Sequence, residues 1–372
     1  MRRYLLMAGL VAAGLLLSLV GPERGPEVRL RPPAETTLVA VGDILLGRSL
    51  GTLMEATGNY SMAFENMEPQ LRAADIAFGN LEGPFCGEPP YPGEGMVFRV
   101  RPAAVAGLVH AGFSVLSVAN NHFDNGGDAC IRFSLAHLRR AGIATAGAGE
   151  SYEAAHQPAI LVRHGVRFAF LGYTYAELND TPEATHPVIA GRHPERVRED
   201  VTAALRRADV VIVSLHDGTE YSPRVARETE EFCHAAIDAG AALVLGHHPH
   251  VPQRIEQYQG GWIFYSLGNF VFQQYTPPEV QTAVMARVTL SGARIERVEA
   301  VPLVIEWHSK PRPARVEEGA FILARLGLDR PLLWPPVAVA LENAWTAPPF
   351  AVPFRAVSRH ALPVSVSPRT AQ

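Results

Sequence analysis

The sequence predicts a layered α/β protein. Short apolar runs of the buried-strand kind alternate with helical patterns from Thr37 onward. Three hairpin signals interrupt that alternation, which implies a mixed sheet or two sheets packed together. The chain has 372 residues, 48% of them hydrophobic. That is enough for one large core or two domains, and too apolar for a mostly disordered chain. Lys and Arg number 33 against 37 Asp and Glu, a formal charge of −4. The balance argues against nucleic acid as a partner, since such proteins present a strongly basic face.

Each element follows from local pattern. Arg2 and Arg3 precede an uncharged run from Tyr4 to Val20. As a helix the run would be ~25 Å long, just short of the ~30 Å hydrocarbon core. Residues 1–21 are therefore expected to be a signal anchor or a signal peptide, with the body exported. Residues 22–36, rich in Pro, Glu and Arg, read as a linker. Leu38–Val41 is a buried strand ending in Gly42-Asp43, and Phe64, Met67 and Leu71 come next at helical spacing. Ile76–Phe78 is the next strand, ending in Gly79-Asn80-Leu81-Glu82. Pro102 opens and Gly112 closes a helix. Phe113–Val118 is a strand ending in Asn120-Asn121-His122, and Ala129–Arg140 a helix closed by Gly142. Ile160–Val162 and Arg167–Leu171 flank His164-Gly165 as a hairpin. Glu195–Arg207 is a helix, and Val210–Val213 a strand running into His216. Arg224–Ala239 is a helix, and Ala242–Leu245 a strand ending in Gly246-His247-His248-Pro249-His250. Two hairpins come after it, Ile255–Tyr258 with Trp262–Tyr265 and Thr282–Leu290 with Ile295–Val304, and then a short helix at Phe321–Leu326. Prolines from Pro331 to Pro368 forbid long helices and central strands. Residues 37–310 form the expected domain, and 311–372 an extension, partly extended or disordered. Cys86, Cys130 and Cys233 are too few for a disulfide framework. Buried free thiols are expected, with one bridge and a leftover thiol left open.

The chemistry collects at strand ends. Asp43, Glu82, Asn121, His122, His216, His248 and His250 each lie just past a predicted buried strand. In open α/β sheets that edge is where ligands sit. Singly, Asp43 also suits a helix cap, Glu82 a solvated loop and His216 a satisfied core histidine. Pro249 should hold an extended backbone that sends His248 and His250 to one side. Imidazole nitrogens beside carboxylate oxygens suit Mn, Fe or Zn. Asp124 is placed to orient the His122 ring. Of Tyr265–Phe272, the aromatics read as core, and Asn269 either contacts ligand or closes the core.

Six ordered segments carry a resemblance. They are Gly42-Asp43-Ile44-Leu45-Leu46-Gly47-Arg48, Gly79-Asn80-Leu81-Glu82, Asn120-Asn121-His122-Phe123-Asp124-Asn125-Gly126, His216-Asp217-Gly218-Thr219-Glu220-Tyr221, Gly246-His247-His248-Pro249-His250-Val251, and Tyr265 to Phe272. Together they resemble the CapA family, the poly-γ-glutamate capsule biosynthesis proteins, over about residues 37 to 305. The resemblance extends to calcineurin-like metallophosphoesterases and implies a four-layer α/β/β/α sandwich of metallophosphoesterase type. It implies a divalent metal held by Asp43, Glu82, Asn121, His216, His248 and His250, with His247 an alternative register. Leu45 stands where that superfamily has a histidine, which points to one metal or altered ligands. Asp217 stands where the family carries an aromatic and adds a carboxylate near the cleft mouth.

The implied function is work on capsule polymer. As an enzyme, His122 would be the general acid, aided by Asp124, and Arg48 would clamp a carboxylate or phosphate. Asn80, Asn120, Glu220 and Asn269 would contact substrate. Hydrolysis or acyl transfer on an anionic polymer or envelope metabolite fits. The alternative is a non-catalytic polymer-binding assembly factor that works beside membrane-bound capsule synthesis proteins. The expected location is the cell membrane with an extracytoplasmic body, or secreted or periplasmic if the N-terminal segment is cleaved.

Overall fold

The computed structural model describes residues 34–175 and 179–326. The expected anchor or signal peptide, most of the linker and the Pro-rich stretch from 327 lie outside them. No helix among the described residues is long and apolar enough to cross a membrane.

The chain runs β1 (Glu35–Ile44), α1 (Arg48–Thr57), α2 (Glu68–Ala73), β2 (Ile76–Leu81), α3 (Val105–Ala111), β3 (Val115–Ser117), α4 (Gly127–Arg140), β4 (Ala144–Ala146) and β5 (Ala148–Gly149). It continues through α5 (Tyr152–Ala155), β6 (Ala159–Arg163), β7 (Val166–Thr174), β8 (Val188–Ile189), α6 (Pro194–Leu205), β9 (Val210–His216), α7 (Arg227–Asp238) and β10 (Leu243–His247). It ends with β11 (Ile255–Tyr258), β12 (Gly261–Phe264), β13 (Asn269–Val271), β14 (Thr282–Ser291), β15 (Arg294–Glu306), β16 (Lys310–Pro313) and α8 (Val316–Arg325).

This is a mixed α/β fold with several sheets. One has the order β16-β15-β14-β1-β2-β3-β4, with β13 also paired to β1, and the other β11-β12-β10-β9-β7-β6. The period-2 alternation of strands decides which core each residue joins. From β1, Leu38 and Ala40 join Phe78, Phe170, Ile212 and Leu245 in a core shared by both sheets, where the Phe78 and Phe170 rings stack at 5.7 Å. Val39 and Val41 point the other way and pack with Leu50, Met54, Leu108 and Ile131 from helices α1, α3 and α4. The far face of the second sheet packs Val211, Val213 and Val244 against Val197, Val201 and Phe232 of α6 and α7. Strands buried on both faces explain the continuous apolar runs in the sequence.

Three expectations need correction. The helix expected around Phe64, Met67 and Leu71 is broken. Gly58 ends α1 in a left-handed conformation, φ 67, and the chain turns before α2 begins, although all three side chains are buried. The compact fold also runs past residue 310. There β16 pairs with β15, and Ile322 and Leu326 join the core between the sheets. Pro311 and Pro313 are tolerated because β16 is an edge strand. Finally, Cys86 and Cys130 form a disulfide, leaving Cys233 as a buried thiol. The packing of α4 brings together two cysteines separated by 44 residues.

A buried charge cluster ties the chain around residue 180 to the second sheet. His156 Nδ1 contacts Asp200 Oδ2 and its Nε2 contacts Asp180 Oδ1, both at 2.8 Å. Carboxylates only accept, so both ring nitrogens donate and the ring is an imidazolium. Burial pulls its pKa down, but the two carboxylates outweigh burial and hold it above the ordinary value. The Tyr173 hydroxyl donates to the same Asp200 oxygen at 2.8 Å.

His156→Ala should destabilise the fold by about 3 kcal/mol, because it strands two buried carboxylates. A histidine whose folded pKa is raised stabilises fully below its unfolded pKa of about 6.5 and loses that stabilisation as pH rises through the folded value. Denaturant melts should therefore show wild type weakening toward alkaline pH more than His156→Ala does. Thiol titration of the unfolded chain should give one thiol before reduction and three after.

Candidate metal centre

Both sheets bring the ends of their parallel strands to one place. Asp43 is the next-to-last residue of β1 and lies level with Asn80 of β2 and Asn269 of β13. Gly42 is required there: a Cβ at this position would sit 1.8 Å from the Gly268 carbonyl oxygen. Across the gap, His216 ends β9 and pairs in register with His247, which ends β10. Asp43 is fully buried. Its Oδ1 accepts from Asn80 Nδ2 at 2.8 Å and lies 3.3 Å from His247 Nδ1. Its Oδ2 lies 3.3 Å from His250 Nδ1 and accepts from the His248 backbone N–H at 3.3 Å. Burial raises its pKa, but His247 and His250 outweigh that and hold it well below the usual carboxylate range.

Glu82 is the anomaly of the site. It is fully buried, and neither carboxylate oxygen has a hydrogen-bond partner among the described residues. Its Oε1 faces His250 Nε2 at 3.9 Å and His122 Nε2 at 4.0 Å. Burial, and then the charge of Asp43, push its pKa well above the ordinary value. His250 moves the other way for an imidazole: burial lowers it, but Glu82 and Asp43 bring it up to about 9.

The tautomers follow from amide orientation. Asn269 Nδ2 donates to the Val280 carbonyl at 3.1 Å, so its Oδ1 faces His250 and accepts from Nδ1 at 2.9 Å. Asn125 Oδ1 accepts from the Phe98 backbone N–H at 2.8 Å and from His122 Nδ1 at 2.9 Å. In both histidines Nδ1 carries the hydrogen that is given to the asparagine, and Nε2 faces Glu82. His216 is different. Asn80 Nδ2, fixed by Asp43, approaches its Nδ1 at 3.1 Å, so Nε2–H donates to Asn121 Oδ1 at 2.8 Å.

An aromatic wall closes one side. The Phe98 ring stacks on His122 at 3.8 Å and lies under the Arg48 guanidinium at 4.4 Å. Phe272 packs on both Phe98 and His250, and Leu45 is buried with these two phenylalanines. Leu45 is thus part of an apolar plug.

The structure draws Asp43, Glu82, His122 and His250 together, and it pairs His216 with Asn121 beside them. It departs from expectation elsewhere. Asp124 does not reach His122; its carboxylate accepts from Asn125 Nδ2, and the ring is held by Asn125 instead. His248 and His250 do not extend, because both have left-handed backbones, φ 95 and 58. His248 turns its ring to His216 and Tyr175, and burial with the charge of His250 pushes its pKa down to about 4. Asp217 is buried away from the mouth, where it accepts from Arg192 at 2.6 Å and Thr229 at 2.7 Å. Asn80, Asn120 and Asn269 are fully buried, and their amides hold the site's own residues. Arg48 and Glu220 are half-buried at its edge. Sequence pattern missed Asn125, Phe98 and Phe272, whose roles come from packing between distant segments.

These residues fit a divalent cation. Asp43, Glu82 and His250 offer ligand atoms within 4.8 Å of one another. A buried carboxylate without donors is short of positive charge, and an oxygen–nitrogen donor set suits Mn, Fe or Zn. Asp43, Glu82 and His250 would hold the ion, and His122 Nε2 lies 4.0 Å from Glu82 beside them. In a second group, Glu230, His234 and Glu256, both carboxylates already have a cation: Arg254 pairs with them at 2.8 and 2.9 Å.

Residues 37–274 match the family described as bacterial capsule synthesis protein PGA_cap. The chain is 31% identical over 296 residues to the capsule biosynthesis protein CapA of Bacillus anthracis, covering 77% of this chain and 71% of that one. It is 30% identical over 326 residues to the PGA biosynthesis protein CapA of Bacillus subtilis, covering 84% and 83%. Among solved structures, a putative 5′-nucleotidase from Staphylococcus aureus is similar at a TM-score of 0.43 and 14% identity, covering 79% of this chain and 58% of that one.

Metal uptake should depend on pH with a definite sign. A proton on His250, held up to about pH 9, has to leave before its nitrogen binds metal. Apparent affinity should fall by at least about tenfold per pH unit below that value. Competition with a chelating dye across pH would show it, and an affinity independent of pH would contradict this assignment. Glu82→Gln should lose stoichiometric metal while keeping its fold by circular dichroism.

Proposed function

The chain belongs to the bacterial capsule synthesis protein family of CapA, and from that premise we propose that it holds a divalent metal and performs hydrolysis or acyl transfer on an anionic polymer or envelope metabolite of capsule formation. The observation that carries this reading is the Glu82 carboxylate, buried without a donor and faced by His122 and His250. The helix–sheet–sheet–helix order of the three cores fits the four-layer sandwich of metallophosphoesterases. The relatives named for capsule biosynthesis support an envelope location, and so does the Cys86–Cys130 bridge, since disulfides persist in oxidising compartments.

When bound, such an ion would supply a Lewis acid that polarises an acyl or phosphoryl oxygen and acidifies a water. The chain's own residues supply the proton handling. Burial keeps the His122 pKa below the ordinary value, so the ring is neutral near pH 7. Its Nδ1–H is committed to Asn125, which leaves the Nε2 lone pair facing the centre. His122 therefore starts as a proton acceptor and becomes an acid only after taking a proton, which it can return to the leaving group. Phe98 stacked on its face keeps bulk water off the ring. Arg48 supplies the positive charge beside this wall for an anionic group of the substrate.

One observation favours the second reading, a polymer-binding assembly factor without catalysis. Leu45 is buried with Phe98 and Phe272, at the position where the metallophosphoesterase resemblance implies a metal-ligand histidine, so that one ligand of a two-metal site would be missing. On that reading the metal is structural.

The deciding experiment is an assay of full-length protein, metal-loaded and metal-depleted, on phosphoesters and γ-glutamyl amides. The catalytic reading expects cleavage that vanishes on depletion and falls about a hundredfold in His122→Ala. It also expects the acidic limb of the pH profile to move in Asn125→Ala. A His122→Ala protein that still supports polymer formation in cells would establish the assembly-factor reading.

A further inference from the structure

Arg48 and Glu220 carry opposite charges at the open edge of the centre, and neither has an ion-pair partner among the described residues. The Arg48 guanidinium bonds only neutral acceptors: Nε to the Gly95 carbonyl at 2.8 Å, Nη1 to the Gln273 carbonyl at 3.3 Å and Nη2 to Met96 Sδ at 3.5 Å. Two of its five N–H donors remain. Glu220 lies beside the Tyr221 hydroxyl, whose pKa burial and then this carboxylate raise to about 12. That hydroxyl also accepts from Gln274 Nε2 at 2.7 Å. Consecutive residues, Gln273 and Gln274, thus hold the cation and the partner of the anion, with Cα atoms about 3.8 Å apart. Both charges act on the same three groups: Glu82, His122 and Tyr221.

The backbone is forced to make this arrangement. Tyr221 has φ 62, a left-handed conformation that a bulky residue seldom adopts unless its surroundings impose it. Its N–H donates to the Pro249 carbonyl at 2.8 Å, which ties it to the turn carrying His248 and His250. Tyr221 remains 40% exposed and Tyr175 38% exposed. Tyr175 packs on His248, within the field of Glu220.

A half-buried cation and a half-buried anion that share three neighbours without neutralising each other are both short of counter-charge. A ligand that brings both charges gains more in a low-dielectric cleft than a ligand with one. We propose that the rim of this centre receives an α-amino-acid end group, its carboxylate on Arg48 and its ammonium on Glu220, with the Tyr175 and Tyr221 rings as walls. This rests on the metal-centre reading, because it sets the reacting end of the substrate over Glu82 and His122. It also narrows that reading. Residues inside an amide-linked polymer have no ammonium, so the site takes a chain end or a free monomer.

The test is calorimetry on full-length, metal-loaded protein with three probes: DL-glutamate, N-acetyl-DL-glutamate and DL-isoglutamine, whose α-carboxylate is an amide. Glutamate should bind, and removing either charge should weaken it roughly tenfold. Glu220→Gln should weaken glutamate by the same factor and leave the acetylated probe unchanged, so that the discrimination disappears. Arg48→Gln should weaken glutamate and the acetylated probe alike. Equal binding of glutamate and its acetylated form, equal loss of both in Glu220→Gln, or no binding of any probe would overturn the proposal. Metal content on the same samples separates the two ideas. Full metal with no discrimination sinks this inference alone, and absence of metal sinks the centre as well.

Discussion

Two carboxylates buried side by side need positive charge between them. Asp43 and Glu82 stand in that relation, and their opposite pKa shifts show how the protein divides the burden. Asp43 accepts from Asn80 and the His248 backbone N–H, has the His247 and His250 rings 3.3 Å away, and stays ionised. Glu82 has no donor among the described residues, and burial drives it toward the neutral form. Much of the architecture serves to make this juxtaposition possible. Two sheets end at one point, and glycines let the strands approach. At Gly246 a Cβ would fall 2.0 Å from the Tyr265 carbonyl oxygen, as at Gly42 it would meet Gly268.

Around that pair, buried asparagines set the chemistry of the rings. Asn80, Asn125 and Asn269 each have one end fixed by a group that can only donate or only accept. The amide atom facing the ring, which is the fixed end itself in Asn80 and Asn125 and the opposite end in Asn269, then dictates which imidazole nitrogen carries hydrogen. Orientation is thus settled by backbone carbonyls and N–H groups several residues away, such as Val280 and Phe98. These groups are fixed in turn by sheet and loop packing.

The sheet-forming runs and the residues just past them are legible in the sequence. A buried parallel strand is a continuous apolar run, and the residues after its last apolar position lie at the sheet edge. Asp43, Glu82, His122 and His250 meet for that reason. The path of the chain beyond the strand is not legible in the same way. Asp124 and Asn125 are equally polar neighbours, and only the turn decides which one faces His122. Pro249 suggests an extended His248-Pro249-His250 segment, but the tight approach of Tyr221 and Asp43 imposes left-handed residues on either side of the proline. Asp217 reads as an edge residue and is claimed by Arg192 and Thr229, from segments no local pattern connects. Residues 311–372 read as an extension, partly extended or disordered, yet β16 carries Pro311 and Pro313 as an edge strand, which has one side where a missing N–H does no harm.

The Cys86–Cys130 bridge gives the centre a place in the life history of the chain. Cys86 lies four residues past Glu82, on the loop that returns to Phe98, and Cys130 lies in the helix after His122. The bridge therefore joins covalently the segment that carries Glu82 and Phe98 to the segment that carries His122. Where the cysteines are reduced, packing, the shared Asn125 acceptor and the Ser134 Oγ bond to the Phe85 carbonyl hold this loop against the His122 turn and its helix. A newly made chain would then carry every residue of the centre before the centre is locked. Formation of the bridge would fasten to each other two segments that the sequence keeps 44 residues apart.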